Sequence, residues 1–253
     1  MPVDANRRDL RAYLLGVLFA SLPFYAIGLT GGRLPFLPAL PVSALMAVVP
    51  GGVALVLAAR VGDAAGLLRR AASLRGVTAG GLAAAVAIMP LVYLVSALGL
   101  WLTRSDLPAP LWADPAAIGL SLALFLLAAI AEELGWQAYA WPRMRGPALR
   151  SALLLGGIWA LWHLVPFVVM GRPASWIVPH LAMAVLMRVV IVWLAVNFGP
   201  GLLLAVVLHC LSNAAWGLID NFDAYYAPGI AMLALLIVVL AVLVRDGPSL
   251  RRA

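Results

Sequence analysis

Pro115 to Trp141 reads PAAIGLSLALFLLAAIAEELGWQAYAW. Its apolar run has the length that crosses a bilayer as an α-helix, about twenty residues. Close to its end stand Glu132 and Glu133, the only glutamates in the chain. An ionised carboxylate in hydrocarbon costs on the order of a few kcal/mol or more, so acids within spans face an interior cavity or a partner. Two adjacent carboxylates also repel one another when both are ionised. Glutamate used nowhere else, and used here as a pair, points to chemistry at this place more than to solubility.

Comparable apolar runs fill the rest of the chain. Of 253 residues, 65% are hydrophobic and 11% charged, with a mean hydropathy of +1.05; a soluble domain carries roughly 25% charged residues. The runs predict eight spans: Leu10–Thr30, Pro41–Ala59, Ala79–Leu102, Pro115–Trp141, Ser151–Met170, Trp176–Asn197, Gly201–Ile219 and Ala227–Val244. The expected fold is an all-α, polytopic membrane helix bundle of about eight transmembrane helices, forming a single integral membrane domain over residues 1–253. Pro23, Pro50, Pro90 and Pro166 fall inside these spans, where kinks are tolerated if neighbouring helices satisfy the freed carbonyls. There is no internal repeat and no low-complexity tract.

The 17 basic residues are all arginine and give a net charge of +7. Nucleic-acid binding requires such residues on one soluble face, whereas these are scattered through short loops and both termini. They read as topology signals and lipid-headgroup contacts, not as a nucleic-acid surface. Arg7, Arg8 and Arg11 precede the first span; Arg60, Arg69, Arg70 and Arg75 fill the second loop. Arg143, Arg145 and Arg150 fill the fourth, and Arg245, Arg251 and Arg252 follow the last span. The alternate loops hold only Arg33, Arg104 and Arg172 beside four aspartates. The positive-inside rule therefore predicts cytoplasmic termini, in keeping with an even number of spans.

The second loop, Val61 to Gly76, reads either as a short amphipathic helix on the cytoplasmic leaflet or as a plain basic connector. No small-residue cleavage pattern stands out between Ser21 and Gly32, so the first span is expected to be retained. The single Cys210 excludes an intrachain disulfide and a cysteine-cluster metal site.

Depth orders the polar residues inside the spans. Glu133 lies eight residues before Trp141, His163 twelve after Ser151 and His209 eight after Gly201, each counted from the arginine-rich side. At 1.5 Å per residue these are depths of roughly 12, 18 and 12 Å, all within the expected cytoplasmic half. Glu133 and Gln137 share a helix face, as do Trp159 and His163, and His209 and Asn213, because each pair is four residues apart. An amide one turn from a histidine can orient the ring or bind an oxyanion. His180 falls near the outer end of its span and reads as an interfacial histidine. Arg188, in mid-span, reads equally as the partner of a glutamate or as a snorkelling side chain. Cys210 points about 100° away from its neighbour His209 and reads as packing. Trp136, Trp141 and Trp162 read as interface or pocket-wall residues.

These residues carry a resemblance. Glu132-Glu133-Leu134-Gly135-Trp136-Gln137, Trp159-Ala160-Leu161-Trp162-His163 and His209-Cys210-Leu211-Ser212-Asn213 resemble the three motifs of the CAAX-protease and bacteriocin-processing (CPBP or Abi) family, which includes the Rce1-type prenyl-protein endopeptidases. The family pattern is Glu-Glu-x-x-x-Arg, Phe-x-x-x-His and His-x-x-x-Asn on successive membrane helices. The likeness runs from Ala131 to Asn213 in the right order. Gln137 stands where the family has arginine, and Trp159 where it has phenylalanine; Arg143 or Arg188 are the cations available to replace the missing charge.

The resemblance implies an intramembrane endopeptidase acting on a membrane-associated protein or peptide, in a plasma membrane of bacterial type. Glu132 would activate water, with His163 and His209 positioning it or ligating a metal, Asn213 stabilising the oxyanion and Glu133 orienting the site as the protonated member of the pair. If a metal is used, His163, His209 and Glu132 would hold zinc, with one position left for water; the metal-free version uses the same groups. Other classes also fit: a non-hydrolytic immunity or scaffold member of the family, or a proton-coupled transporter using Glu132 and His163 as a relay. Oligomeric state is left open.

Overall fold

A computed structural model describes residues 3–31, 33–34 and 37–251. Met1, Gly32 and Arg252, which entered the expectations above, lie outside these. The described chain is helical apart from a two-strand hairpin, β1 (Arg33–Leu34) against β2 (Leu37–Pro41). In order follow α1 (Val3–Leu29), the hairpin, a 3-10 segment (Val42–Val48) continuing into α2 (Val49–Arg60), α3 (Ala64–Ala71), α4 (Ala79–Thr103) and α5 (Pro115–Glu133). After α5 come α6 (Ala148–Trp162), α7 (Leu164–Val169), α8 (Ala174–Phe198), α9 (Leu203–Leu218) and α10 (Pro228–Asp246).

Local sequence sets several of these ends. Asp114 Oδ2 accepts from the Ala116 and Ala117 amides at the start of α5, with Pro115 in the first turn, where its missing N–H is not needed. Thr78 caps α4 through the Gly81 amide at 3.1 Å. Among the described residues, seven helical stretches are long and apolar enough to cross a bilayer. The expected span Gly201–Ile219 is the exception. Its helix, Leu203–Leu218, has 16 residues, about 24 Å, against the roughly 30 Å of a hydrocarbon core. It starts late because the preceding turn lies against the second loop: the Leu202 amide donates to the Ala71 carbonyl at 2.9 Å, and a Cβ at Gly201 would strike the Ser73 carbonyl. The resulting molecule is a membrane helix bundle.

Packing places α8 at the centre. It is the most buried of the spans and packs on both α6 and α10, while α5 packs on α9 and α9 on α4. Val189 to Leu194 are buried without interruption, so α8 has no lipid stripe over that stretch. The other six spans bury less than half of their windows inside the protein, and their exposed Leu, Val, Ile and Phe side chains form the lipid-facing surface. The second loop is the amphipathic helix α3. Its Leu67 and Ala71 are buried against protein, while Leu68 remains exposed. The Arg70 guanidinium, bonded to Asp63 at 2.7 Å, holds that carboxyl below the usual carboxylate range.

Two expected spans are interrupted. The one from Pro115 is α-helical only to Glu133, then a π-helical turn over Leu134–Ala140 and a 3-10 turn over Trp141–Arg143. The one from Ser151 breaks at His163. Pro50 falls in the first turn of α2 instead of inside a helix, while Pro179 is an internal proline of α8 not anticipated.

The backbone of α2 runs directly against the end of α5. A Cβ at Gly51 would lie 2.5 Å from the Ala131 carbonyl oxygen, one residue before the glutamates. Main chain cannot yield there without moving Glu132. Gly51→Ala should cost about 1–3 kcal/mol as an overpacking change, read as a lowered melting temperature in detergent. An unchanged melting curve would show that α2 is not seated on α5 as described.

Candidate active site

The glutamates sit where α5 changes pitch. Glu132 is 4% exposed and Glu133 0%, and the π-turn begins immediately after them. Such turns insert one extra residue per turn and recur at functional sites because they re-aim side chains. The close approach around Gly135 accompanies it: a Cβ there would lie 2.5 Å from the Pro50 carbonyl and strike the Tyr13 hydroxyl.

Each carboxylate faces a different partner set. Glu133 Oε2 accepts from Arg188 Nη1 at 2.6 Å, and Oε1 from Arg188 Nη2 at 3.1 Å and His209 Nδ1 at 2.9 Å. Three donors on two oxygens, two from one guanidinium fork, are what an ionised carboxylate takes. This differs from the expectation that Glu133 is the protonated member. The guanidinium is 0% exposed and its Cζ lies 4.7 Å from the Trp159 ring centre. Gly156 lets α8 come this close, since a Cβ there would meet Arg188 Cβ at 3.0 Å. Of the two readings of Arg188, partner of a glutamate is the one observed.

Glu132 is held by one donor. Trp159 Nε1 donates to its Oε2 at 2.8 Å, and His163 Nε2 stands 3.8 Å from the same oxygen. Its other oxygen has no protein hydrogen bond among the described residues.

The break at His163 explains that histidine's placement. His163 turns its own amide to the Ala160 carbonyl, so the Trp159 carbonyl loses its α-helical partner. His163 Nδ1 lies 2.9 Å from that carbonyl oxygen. A carbonyl only accepts, so Nδ1 carries the proton and Nε2 is left toward Glu132. Four residues before Pro166, the Trp162 carbonyl is likewise deprived of a donor, and Tyr25 Oη on α1 supplies it at 2.6 Å. Trp162 Nε1 in turn donates to Ser21 Oγ at 2.8 Å. Helix α1 thereby fixes the break that holds His163. The two histidines share one pattern: Nδ1–H on an oxygen and Nε2 free, as in histidines poised for ligand or acid–base work.

The tryptophan rings close the walls. Trp159 meets His163 and His209 edge-on at 5.1 and 5.3 Å, and Trp162 meets His163 at 4.7 Å. Of the four acidic and histidine side chains here, only His163 is appreciably exposed, at 22%. The site is therefore most open on the side of the α6–α7 break. Asn213, one turn beyond His209, is half-buried and makes no protein hydrogen bond among the described residues.

Other expected placements come out differently. Gln137 is 2% exposed and does not bond Glu133; its Oε1 has no protein partner among the described residues. Arg188 brings the charge from another helix. Arg143 is engaged with the Tyr139 carbonyl at 2.7 Å and its ring face. His180 stacks on Trp176 at 4.4 Å and its Nδ1 lies 2.6 Å from Tyr226 Oη, in an aromatic cluster that touches the site through Phe167, 4.7 Å from His180 and 6.1 Å from His163. For zinc, the donors His163, His209 and Glu132 do not form a ready ligand set. No group of three or more His, Cys, Asp or Glu among the described residues is arranged to hold one ion, and the Glu133 oxygens are taken by Arg188 and His209. Tyr25, Ser21 and Tyr13 on α1 were not singled out from sequence. The one available signal was Pro166, which orphans a carbonyl that some donor must meet.

Comparison with known proteins bears on the same segment. Residues 114–215 match a family model described as Type II CAAX prenyl endopeptidase Rce1-like. CAAX prenyl protease 2 of Methanococcus maripaludis is 30% identical over 103 residues, a match covering 36% of this chain and 38% of that relative. The chain thus matches well under half of the curated relative's length. The residues matched by the family model include all three motifs, and over them the chain is similar to that family.

Proposed function

We propose that this membrane protein is an intramembrane endopeptidase in which Glu132 activates water, Glu133 is a fixed counter-charge, and His163, His209 and Asn213 act on the reacting atoms. The observation that carries the reading is the unequal treatment of two neighbouring carboxylates. Glu133 is saturated by Arg188 and His209, whereas Glu132 keeps a free oxygen and faces His163 Nε2 across 3.8 Å. That gap is too long for a direct hydrogen bond and suits one water bonded to both groups.

In this mechanism Glu132 removes a proton from the water as its oxygen attacks the scissile carbonyl. His163 Nε2 holds the water's second hydrogen. Charge collects on the carbonyl oxygen, which the Asn213 amide meets as donor, joined by His209 Nε2 when that ring is doubly protonated beside ionised Glu133. The tetrahedral adduct then collapses, its C–N bond breaks, and Glu132 returns the proton to the departing amine. His209 keeps its orientation through the Glu133–Arg188 pair. Zinc, if bound, would supply Lewis acidity to the water, with His163, His209 and Glu132 the residues to hold it; the gathered ligand set it needs is not seen, and the reading rests on the side chains alone.

The substrate would be a membrane-associated protein or peptide entering beside His163, with a prenylated CAAX terminus the form that the relative's name suggests. The arginine distribution supports a site in the cytoplasmic half of the membrane.

The test is cleavage of a library of tethered peptides, prenylated and plain, by purified protein with and without chelator. His163→Ala and His209→Ala should each lower turnover by roughly 10² or more. His180→Ala should leave turnover near wild type, because its partner is Tyr226. Equal losses at His180 and His163 would refute the placement of the site, and inhibition by chelator would assign the water to a metal.

A further inference from the structure

Hydrolysis inside a bundle consumes water, and the buried polar atoms that could hold it are unevenly placed. Among the described residues, Tyr13 Oη, Trp136 Nε1, Gln137 Oε1 and Arg188 Nε are buried with no protein hydrogen-bond partner. These four of seven such atoms, the others being Ser43 Oγ, Arg143 Nε and Arg172 Nε, lie around the end of α5. Trp136 and Gln137 are consecutive residues of the π-turn, three and four positions after Glu133. Tyr13 reaches in from α1, wholly buried, its hydroxyl against the α-carbon of Gly135 and its ring edge-on to Trp136 at 5.6 Å. The charges of Arg188, Glu133 and Glu132 all act on that hydroxyl.

Each such atom, left dry, costs about 1–3 kcal/mol, so several together in one region are retained only where something meets them. Their chemistry is complementary to water. The indole N–H donates to it, the amide oxygen accepts from it, and the phenol does either. A buried site of this kind needs two to four polar partners, which this set provides.

We propose that Tyr13, Trp136 and Gln137 line a buried hydration site beside the glutamate pair that supplies the water consumed at Glu132, with Tyr13 as a positioning residue. This rests on the peptidase reading. Tyr13 belongs to α1, outside the matched residues 114–215, so no motif points to it.

The experiment uses the full-length protein in deuterated detergent. Exchange-corrected water cross-peaks are recorded at the Trp136 indole N–H, assigned by its loss in Trp136→Phe. A long-lived water contact is expected in wild type and should weaken in Tyr13→Phe and Gln137→Met. Tyr13→Phe should lower kcat by about tenfold with KM unchanged, through loss of water positioning. Its melting temperature should not rise. If the hydroxyl were dry, removing it would relieve a buried unsatisfied group and raise the melting temperature, and with a dry indole that result overturns the site. A water contact with wild-type turnover in Tyr13→Phe overturns its supply role. The water contact is read without substrate, so failure of the peptidase reading, seen as full turnover in a Glu132 variant, is distinguishable from failure of this one.

Discussion

Glu132→Gln should lose roughly 10³-fold in turnover while melting in detergent within a few degrees of wild type. The substitution keeps an amide oxygen as acceptor for Trp159 Nε1, now at 2.8 Å from Glu132 Oε2, and removes only the capacity to take a proton. It also removes an acid from the bilayer interior, so insertion should not suffer. Glu133→Gln supplies the contrast. It strips the counter-charge from Arg188, which is 0% exposed, and should damage folding as well as activity. Wild-type turnover in Glu132→Gln would end the assignment of Glu132 as the base. Equal melting losses in both variants would mean that the two carboxylates are not divided as described.

The second large effect is expected at Arg188. Removing the guanidinium leaves Glu133 buried without its cation, a loss of about 3–5 kcal/mol for breaking a buried pair. Arg188→Gln should accordingly melt far below wild type and lose turnover, since His209 Nδ1 is held by the same Glu133 oxygen that Arg188 Nη2 touches. Adding Gln137→Arg should restore part of both. Position 137 is four residues from Glu133 and already buried, so an arginine there can return the charge from the glutamates' own segment. On the wild-type background Gln137→Arg should be harmful, because a second buried cation has no carboxylate to itself. If the double variant is no better than Arg188→Gln alone, residue 137 faces away from the pair and the fixed counter-charge can come only from α8.

Much of the site was legible as spacing. The i, i+4 pairs Trp159–His163 and His209–Asn213 are set by helical pitch, and comparable depths brought Glu, His and His together before any packing was known. Glu133–Gln137 had the same spacing, yet no hydrogen bond joins them, and a π-turn begins between them. That turn accompanies close backbone contact with α2 at Gly51 and Gly135, residues whose significance lies entirely in what approaches them. Position alone puts His180 near an interface, and packing adds its partners Tyr226 and Trp176.

Apolar runs and a low charged fraction determined the membrane bundle, since a bilayer selects on length and hydrophobicity, which are properties of the chain alone. The presence of a polar centre near Glu132 and Glu133 was likewise fixed locally, because buried acids demand partners. Which partners they have was decided by tertiary structure. The short i, i+4 rule cannot reach Arg188, 55 residues from Glu133, or Tyr25, 137 residues from the Trp162 carbonyl it satisfies. Those contacts exist because glycine-lined crossings bring α8, α2 and the π-turn within backbone distance, and because the break at His163 leaves carbonyls that only other groups can fill. The difference between one free carboxylate and one saturated carboxylate is therefore a property of packing, not of two identical neighbouring letters.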